Sequence, residues 1–129
     1  MIKEIYLRDF PWDELPWAVD ENGSRYIPGM VTPEASVLLL QENNEIVAYL
    51  VYDVWSKAGY VEIHYVQVHI SCQKKGYGTQ LVMWVCDKYG SQYDLQAYST
   101  SGIAERLLKK CGFERTCMGN FKRVRRNDT

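Results

Sequence analysis

Long apolar runs are missing from this sequence. The longest spans residues 46–52, far short of the ~20 residues that a membrane-spanning helix needs. The opening Met1-Ile2-Lys3-Glu4 mixes charge with apolar side chains, so the apolar core of a secretory signal is missing too. Cysteines at metal or redox spacing are absent. Cys72, Cys86, Cys111 and Cys117 form no Cys-x-x-Cys pair, and His64 and His69 are not spaced to complete a zinc site with them. No metal and no disulfide framework are expected. The thiols read as reduced, half-buried groups of a cytoplasmic protein. Repeats, low-complexity tracts and linkers are missing as well, which leaves one continuous domain over residues 1–129.

What is present is ordinary globular composition, with 47% hydrophobic and 24% charged residues, enough for a real apolar core and too little charge for disorder. The net charge of −1 hides an asymmetry. Residues 1–60 hold four basic and ten acidic side chains, whereas residues 61–129 hold eleven basic and six acidic. An acidic half and a basic half suggest two kinds of partner; solvated surface is the plain alternative.

Alternation predicts a strand over residues 2–7, and Pro11 opens a short helix over 10–15 that Pro16 limits. Gly23, Pro28, Gly29 and Pro33 mark residues 20–35 as a loop. This loop carries Tyr26 and Met30, with Trp12 and Trp17 just before it. Strands over 36–41 and 46–54 form a hairpin about Asn43-Asn44, and a third strand follows over 60–69. A helix opens at Gly78 or Thr79 and runs to about Tyr89. Residues 94–99 read as a strand. A second helix is capped at Thr100 or Ser101, with Ile103, Leu107, Leu108 and Cys111 on one stripe. Gly112 ends it at C′ with Phe113 behind, and residues 115–124 close as a hairpin strand or pair. The class is mixed α/β (α+β), with a largely antiparallel central sheet flanked by helices.

A strand, a glycine-containing loop and a helix N-terminus build an anion site. The first helical N–H groups have no internal partner, the helix dipole adds positive character, and Lys74 and Lys75 add charge. Gly76 and Gly78 let the backbone approach a ligand, and a diphosphate suits such a nest. It is neither a Rossmann fingerprint, since residue 81 is Leu, nor a P-loop, since Gly-Lys-Ser/Thr is absent.

The stretch Val68-His69-Ile70-Ser71-Cys72-Gln73-Lys74-Lys75-Gly76-Tyr77-Gly78-Thr79-Gln80-Leu81 resembles motif A of the GCN5-related N-acetyltransferases (GNAT), V-x-x-x-x-[QR]-x-x-G-x-[GA]. Ala104-Glu105-Arg106-Leu107-Leu108-Lys109-Lys110-Cys111-Gly112-Phe113 resembles motif B of the same family. The resemblance covers residues 36–115 well and the N-terminal third by element order.

That resemblance implies a GNAT-like fold and transfer of acetyl from acetyl-CoA to an amine, on a small molecule or on a protein lysine or N-terminus. The CoA pyrophosphate is expected on the amides of Lys74, Lys75, Gly76, Tyr77, Gly78 and Thr79, with Gln73 in the motif. The pantetheine arm is expected along the backbone of Val66, Gln67 and Val68, and Ser101 stands at the position of a frequent family asparagine. The basic half then suits polyanionic CoA and the acidic half a cationic amine. Glu62 and His64 lie two apart on one strand face, roughly 7 Å apart. Glu62, six residues before Val68, matches the general base of the histone-acetylating branch; His64 is a second candidate. The alternatives are a surface strand residue for Glu62 and a hydrogen-bonded cleft residue for His64.

One departure stands out. The family's general-acid tyrosine position is Leu108, which donates no proton, so Tyr98 or Ser99 is the nearest substitute. A catalytically weak CoA-binding adaptor that acts on a protein partner is the alternative function. Trp12, Trp17, Tyr26 and Met30 are read as an acceptor pocket, with a simple cap on the core as the alternative. Lys122, Arg123, Arg125 and Arg126 are read as a solvated tail, not a nucleic-acid surface. No membrane partner is expected, and a homodimer is left open.

Overall fold

A computed structural model describes residues 1–19, 32–98 and 102–126 of the chain. The strands β1 (Ile2–Tyr6), β2 (Ser36–Glu42), β3 (Glu45–Trp55), β4 (Tyr60–Val68), β5 (Asp94–Ala97), β6 (Glu114–Arg115) and β7 (Phe121–Arg123) form one sheet. Their order is β1-β2-β3-β4-β5-β7-β6. Only the β4–β5 pair is parallel; the other pairs are antiparallel. Helix α1 (Tyr77–Tyr89) makes the crossover from β4 to β5, and α2 (Gly102–Lys110) follows β5.

The near-continuous apolar reading of β2 and β3 has a simple cause: both faces of the sheet are covered. Leu38, Leu40, Leu50 and Tyr52 pack with Leu81, Val82 and Val85 of α1. Val37, Leu39, Tyr49 and Val51 pack instead with Phe10, Leu15 and Ala18 from the N-terminal segment. That segment is not the short helix expected over 10–15. Pro11 and Pro16 leave too few residues for helical hydrogen bonds, and two 3-10 turns form at Leu7–Asp9 and Trp12–Glu14.

The β2–β3 turn is built on Asn43 and Asn44, whose φ values of 53° and 66° suit a tight hairpin. In α1 the buried residues Gly78, Leu81, Val82, Val85 and Cys86 follow helical spacing toward the sheet. The end of α2 is a Schellman motif. The Phe113 N–H donates to the Leu108 carbonyl at 3.0 Å and the Gly112 N–H to the Lys109 carbonyl at 3.1 Å. Phe113 and Leu108 both lie in the core.

The basic tail is solvated only in part: Arg125 and Arg126 are exposed, but Arg123 is not. Arg123 on β7 is buried and its Nε donates to the Cys111 carbonyl at 3.1 Å. Arg126 Nη2 donates to the Gly112 carbonyl at 3.1 Å, Lys122 pairs with Asp94 at 3.4 Å, and the Arg125 N–H donates to Asp94 Oδ1 at 2.6 Å. Carbonyls at the end of α2 need donors, and two guanidinium groups supply them.

Candidate active site

β4 changes character halfway along. Its first half pairs on both sides, with β3 and with β5, but the β5 pairing stops at Ile63↔Ala97. From there to Val68 the β3 ladder alone continues among the described residues, through Val51↔Tyr65, Leu50↔Val66, Tyr49↔Gln67 and Ala48↔Val68. Beyond Ile63, β4 therefore has no strand neighbour on its β5 side among the described residues, the kind of edge on which an extended amide-bearing arm can pair.

The divergence coincides with a bulge. The β3–β4 register jumps between Val51↔Tyr65 and Tyr52↔Ile63, so His64 is the extra residue. The inward set consequently switches from Val61 and Ile63 to Val66 and Val68. Gln67 turns to the opposite face, where it accepts from the Tyr49 hydroxyl at 2.7 Å and donates to the Trp17 carbonyl at 3.1 Å. Its side chain is thus committed, and only its backbone faces the strand edge.

Around the bulge three ionisable side chains meet. His64 Nε2 lies 2.8 Å from Asp53 Oδ2, and His64 Nδ1 lies 3.6 Å from Glu62 Oε1. Asp53 is the β3 residue directly opposite Glu62. The side chains of His64, Asp53 and Glu62 are 10%, 16% and 19% exposed, so the group is sheltered yet reachable. Glu62 and His64 share a face as their spacing implies, with their polar atoms closer than the backbone separation. Asp53 carried no signal in the sequence, because its placement depends on the hairpin register and on the bulge.

At the far end of β4 the chain passes through a 3-10 turn at Ile70–Cys72 into the loop before α1. Gln73, Lys74, Lys75 and Gly76 are exposed, and Tyr77 and Thr79 are partly buried. Lys74 and Gly76 hold φ of 70° and 80°. Such left-handed residues turn consecutive N–H groups inward as a nest. Gly76 is the N-cap and supplies no side-chain cap to α1, which leaves the first amides of the helix to a ligand. These residues fit an anionic diphosphate. Gly78 is buried in the first turn of α1. An added Cβ there would lie 2.5 Å from Leu107 Cδ1 of α2 and 3.5 Å from Val68 Cγ2. α2 thus presses on this position through the end of the Leu107 side chain.

Tyr98 follows the last residue of β5 and is 64% exposed. Leu108, on α2, is buried in the core. Ser101, Ser99, Tyr26 and Met30 lie outside the described residues. A cavity of about 400 Å³ is lined by Trp17 with Glu14, Glu45, His69 and Cys72. His69 is seven residues along the chain from Glu62, on the order of 20 Å, so this cavity is not beside the ionisable group. Trp12 packs on Phe10 instead, with ring centroids 4.3 Å apart. Among the described residues no His, Cys, Asp and Glu side chains group as a metal site, and no helix is long and apolar enough to cross a membrane.

Residues 1–113 match the family model described as the acetyltransferase (GNAT) family. The chain belongs to that family. Solved structures share its fold. The catalytic domain of the Tetrahymena GCN5 histone acetyltransferase in complex with coenzyme A has a TM-score of 0.72 at 14% identity, over 100% of this chain and 95% of that one. A ribosomal-protein-alanine N-acetyltransferase from Brucella melitensis has a TM-score of 0.68 at 16% identity, covering 96% and 99%. An IAA acetyltransferase from Bacillus cereus has a TM-score of 0.67 at 20% identity, covering 90% and 77%. A comparison with curated proteins finds no match.

Proposed function

We propose that the protein is an acetyl-CoA-dependent N-acetyltransferase in which Glu62 serves as general base toward an amine on a small molecule or a protein. The observation that carries this reading is the sheltered Glu62, beside the point where β4 loses its β5 neighbour, on a strand that leads directly to the nest before α1. Acetyl-CoA supplies an activated acetyl thioester when bound. The backbone of Val66 to Val68 orients its arm, and Gln73 together with the amides of Lys74 to Thr79 holds its diphosphate. Glu62 accepts the proton that the attacking amine must lose. His64 stands behind Glu62, and Tyr98, exposed past the end of β5, is the candidate donor to the departing thiolate.

The experiment is acetyl transfer to an amine panel, followed by mass spectrometry. Glu62→Gln is expected to lower turnover by roughly 10²-fold or more while leaving acetyl-CoA affinity unchanged. Equal activity of Glu62→Gln and the parent across pH 6 to 9 would exclude Glu62. A second reading, a CoA-binding adaptor with feeble catalysis, is favoured by Leu108, which offers no acid from α2. That reading expects acetyl-CoA binding without transfer to any amine.

A further inference from the structure

Asp53 has no part in the reading above, yet it makes the shortest contact in the group. The bulge at His64 re-aims that ring sideways, over the cross-strand pair Asp53↔Glu62. The titratable groups facing His64 are Asp53 from β3 and Glu62 from its own strand. An ionised carboxylate only accepts hydrogen bonds. The 2.8 Å contact between Nε2 and Asp53 Oδ2 therefore requires the ring proton on Nε2. In the neutral ring Nδ1 is then a lone pair, aimed at Glu62 Oε1 across 3.6 Å.

We propose, on the reading that Glu62 is the base for acetyl transfer, that Asp53 is a positioning residue. It holds His64 in the Nε2–H tautomer so that Nδ1 can draw off the proton Glu62 has taken. As the N–C bond to the acetyl group forms, the amine N–H bond breaks and its proton goes to Glu62, giving a carboxylic acid. Closure of the 3.6 Å gap passes that proton to His64 Nδ1 and restores the Glu62 carboxylate. The imidazolium is compensated by the Asp53 carboxylate on Nε2 and releases its Nδ1 proton to solvent. The thioester C–S bond breaks with its electron pair left on sulfur, and the thiolate takes a proton from Tyr98, which solvent then reprotonates, so the exchange balances. His64 acts here through Glu62, and Asp53 through His64. This is the arrangement in which a carboxylate fixes the tautomer of a working imidazole.

The tautomer can be read without substrate. The chain has two histidines, and His69 is an internal reference, since its Nδ1 accepts from the Ser71 N–H at 3.1 Å. Long-range ¹H–¹⁵N correlation spectra of the uniformly labelled full chain, recorded well above the ordinary histidine pKa of ~6.5, are expected to show both rings protonated at Nε2. In Asp53→Asn the carboxamide can donate to Nε2, so the His64 pattern is expected to shift toward Nδ1–H while His69 stays as it was. kcat should fall about 10-fold, less than for loss of the base itself, with KM for acetyl-CoA unchanged, and Asp53→Glu should recover part of it. A parent protein whose His64 carries its proton on Nδ1 overturns the proposal, whether or not Asp53→Asn folds. A loss of kcat in folded Asp53→Asn with no tautomer change reduces Asp53 to a structural role and also overturns it. An Nε2–H tautomer in a parent that acetylates no amine supports the positioning by Asp53 and defeats the acetyl-transfer reading with its relay.

Discussion

The Cys86 thiol sits on the buried face of α1, and burial pushes its pKa up from 9.0 to about 11, with the Arg123 charge opposing. Cys111 and the Tyr52 hydroxyl are also raised, both chiefly by burial; Tyr52 further donates to Glu4 and lies 3.2 Å from the Tyr89 hydroxyl. Below pH 9 a Cys86 thiol is protonated in folded and unfolded chains alike, and its stabilising share is fully present. Between pH 9 and 11 the unfolded thiol ionises and the folded one does not, so stability falls as pH rises. Each such group contributes a slope of up to about 1.4 kcal/mol per pH unit. Urea unfolding between pH 8 and 11 is expected to show this decline. Cys86→Ala should lessen the slope by the share of this one group, whatever the variant's absolute stability, and an unchanged slope would deny the burial effect. In the native protein a thiol reagent should label the exposed Cys117 first and Cys72 next, leaving Cys86 and Cys111 for the unfolded chain.

Between elements, α1 fits closely against α2 at Gly78. Because a Cβ would meet Leu107 Cδ1 at 2.5 Å, Gly78→Ala is expected to destabilise the fold by about 1–3 kcal/mol through overpacking. Leu107→Ala should recover part of that loss in the double variant, since the two side chains compete for the same space. Chemical denaturation of the four proteins in this cycle measures the coupling. Additive effects would show that Gly78 serves some need other than Leu107. The same packing explains why α2 presents no proton donor at residue 108: Leu108 is the residue of the Schellman motif whose side chain joins Phe113 in the core.

Taken as a whole, the molecule places two clusters of apolar side chains on opposite faces of one sheet, and the proposed site lies along β4 beyond its last pairing with β5. A ligand that fits both the edge of β4 and the nest before α1 binds only the folded chain. At about 100 times its dissociation constant, acetyl-CoA should therefore stabilise by about 2.7 kcal/mol, with roughly 3–5 °C in Tm for each kcal/mol in a domain of this size. Lys74→Glu combined with Lys75→Glu is expected to remove most of the shift, because both exposed side chains flank the nest. A thermal shift unaffected by that double substitution would place the diphosphate elsewhere.

Local patterns were legible without tertiary structure. The Asn43-Asn44 hairpin, the helix after Gly76 and the ending of α2 at Gly112-Phe113 depend on residues within a few positions of one another. Spacing alone states them, and the anion nest and the family follow from the same stretch. The position of Glu62 and His64 on one face was legible for the same reason. What only the tertiary structure decided lies in contacts between distant segments. The bulge that sets His64 between Asp53 and Glu62 exists because β3 and β4 slip by one residue, and no periodicity records a slip. The closeness of Leu107 to Gly78 emerges only once α2 is laid against α1. Arg123 reads as solvated charge until β7 inserts between β5 and β6 and brings its guanidinium to the Cys111 carbonyl. A charged side chain is buried there because the helix end holds an acceptor that nothing nearer in sequence supplies.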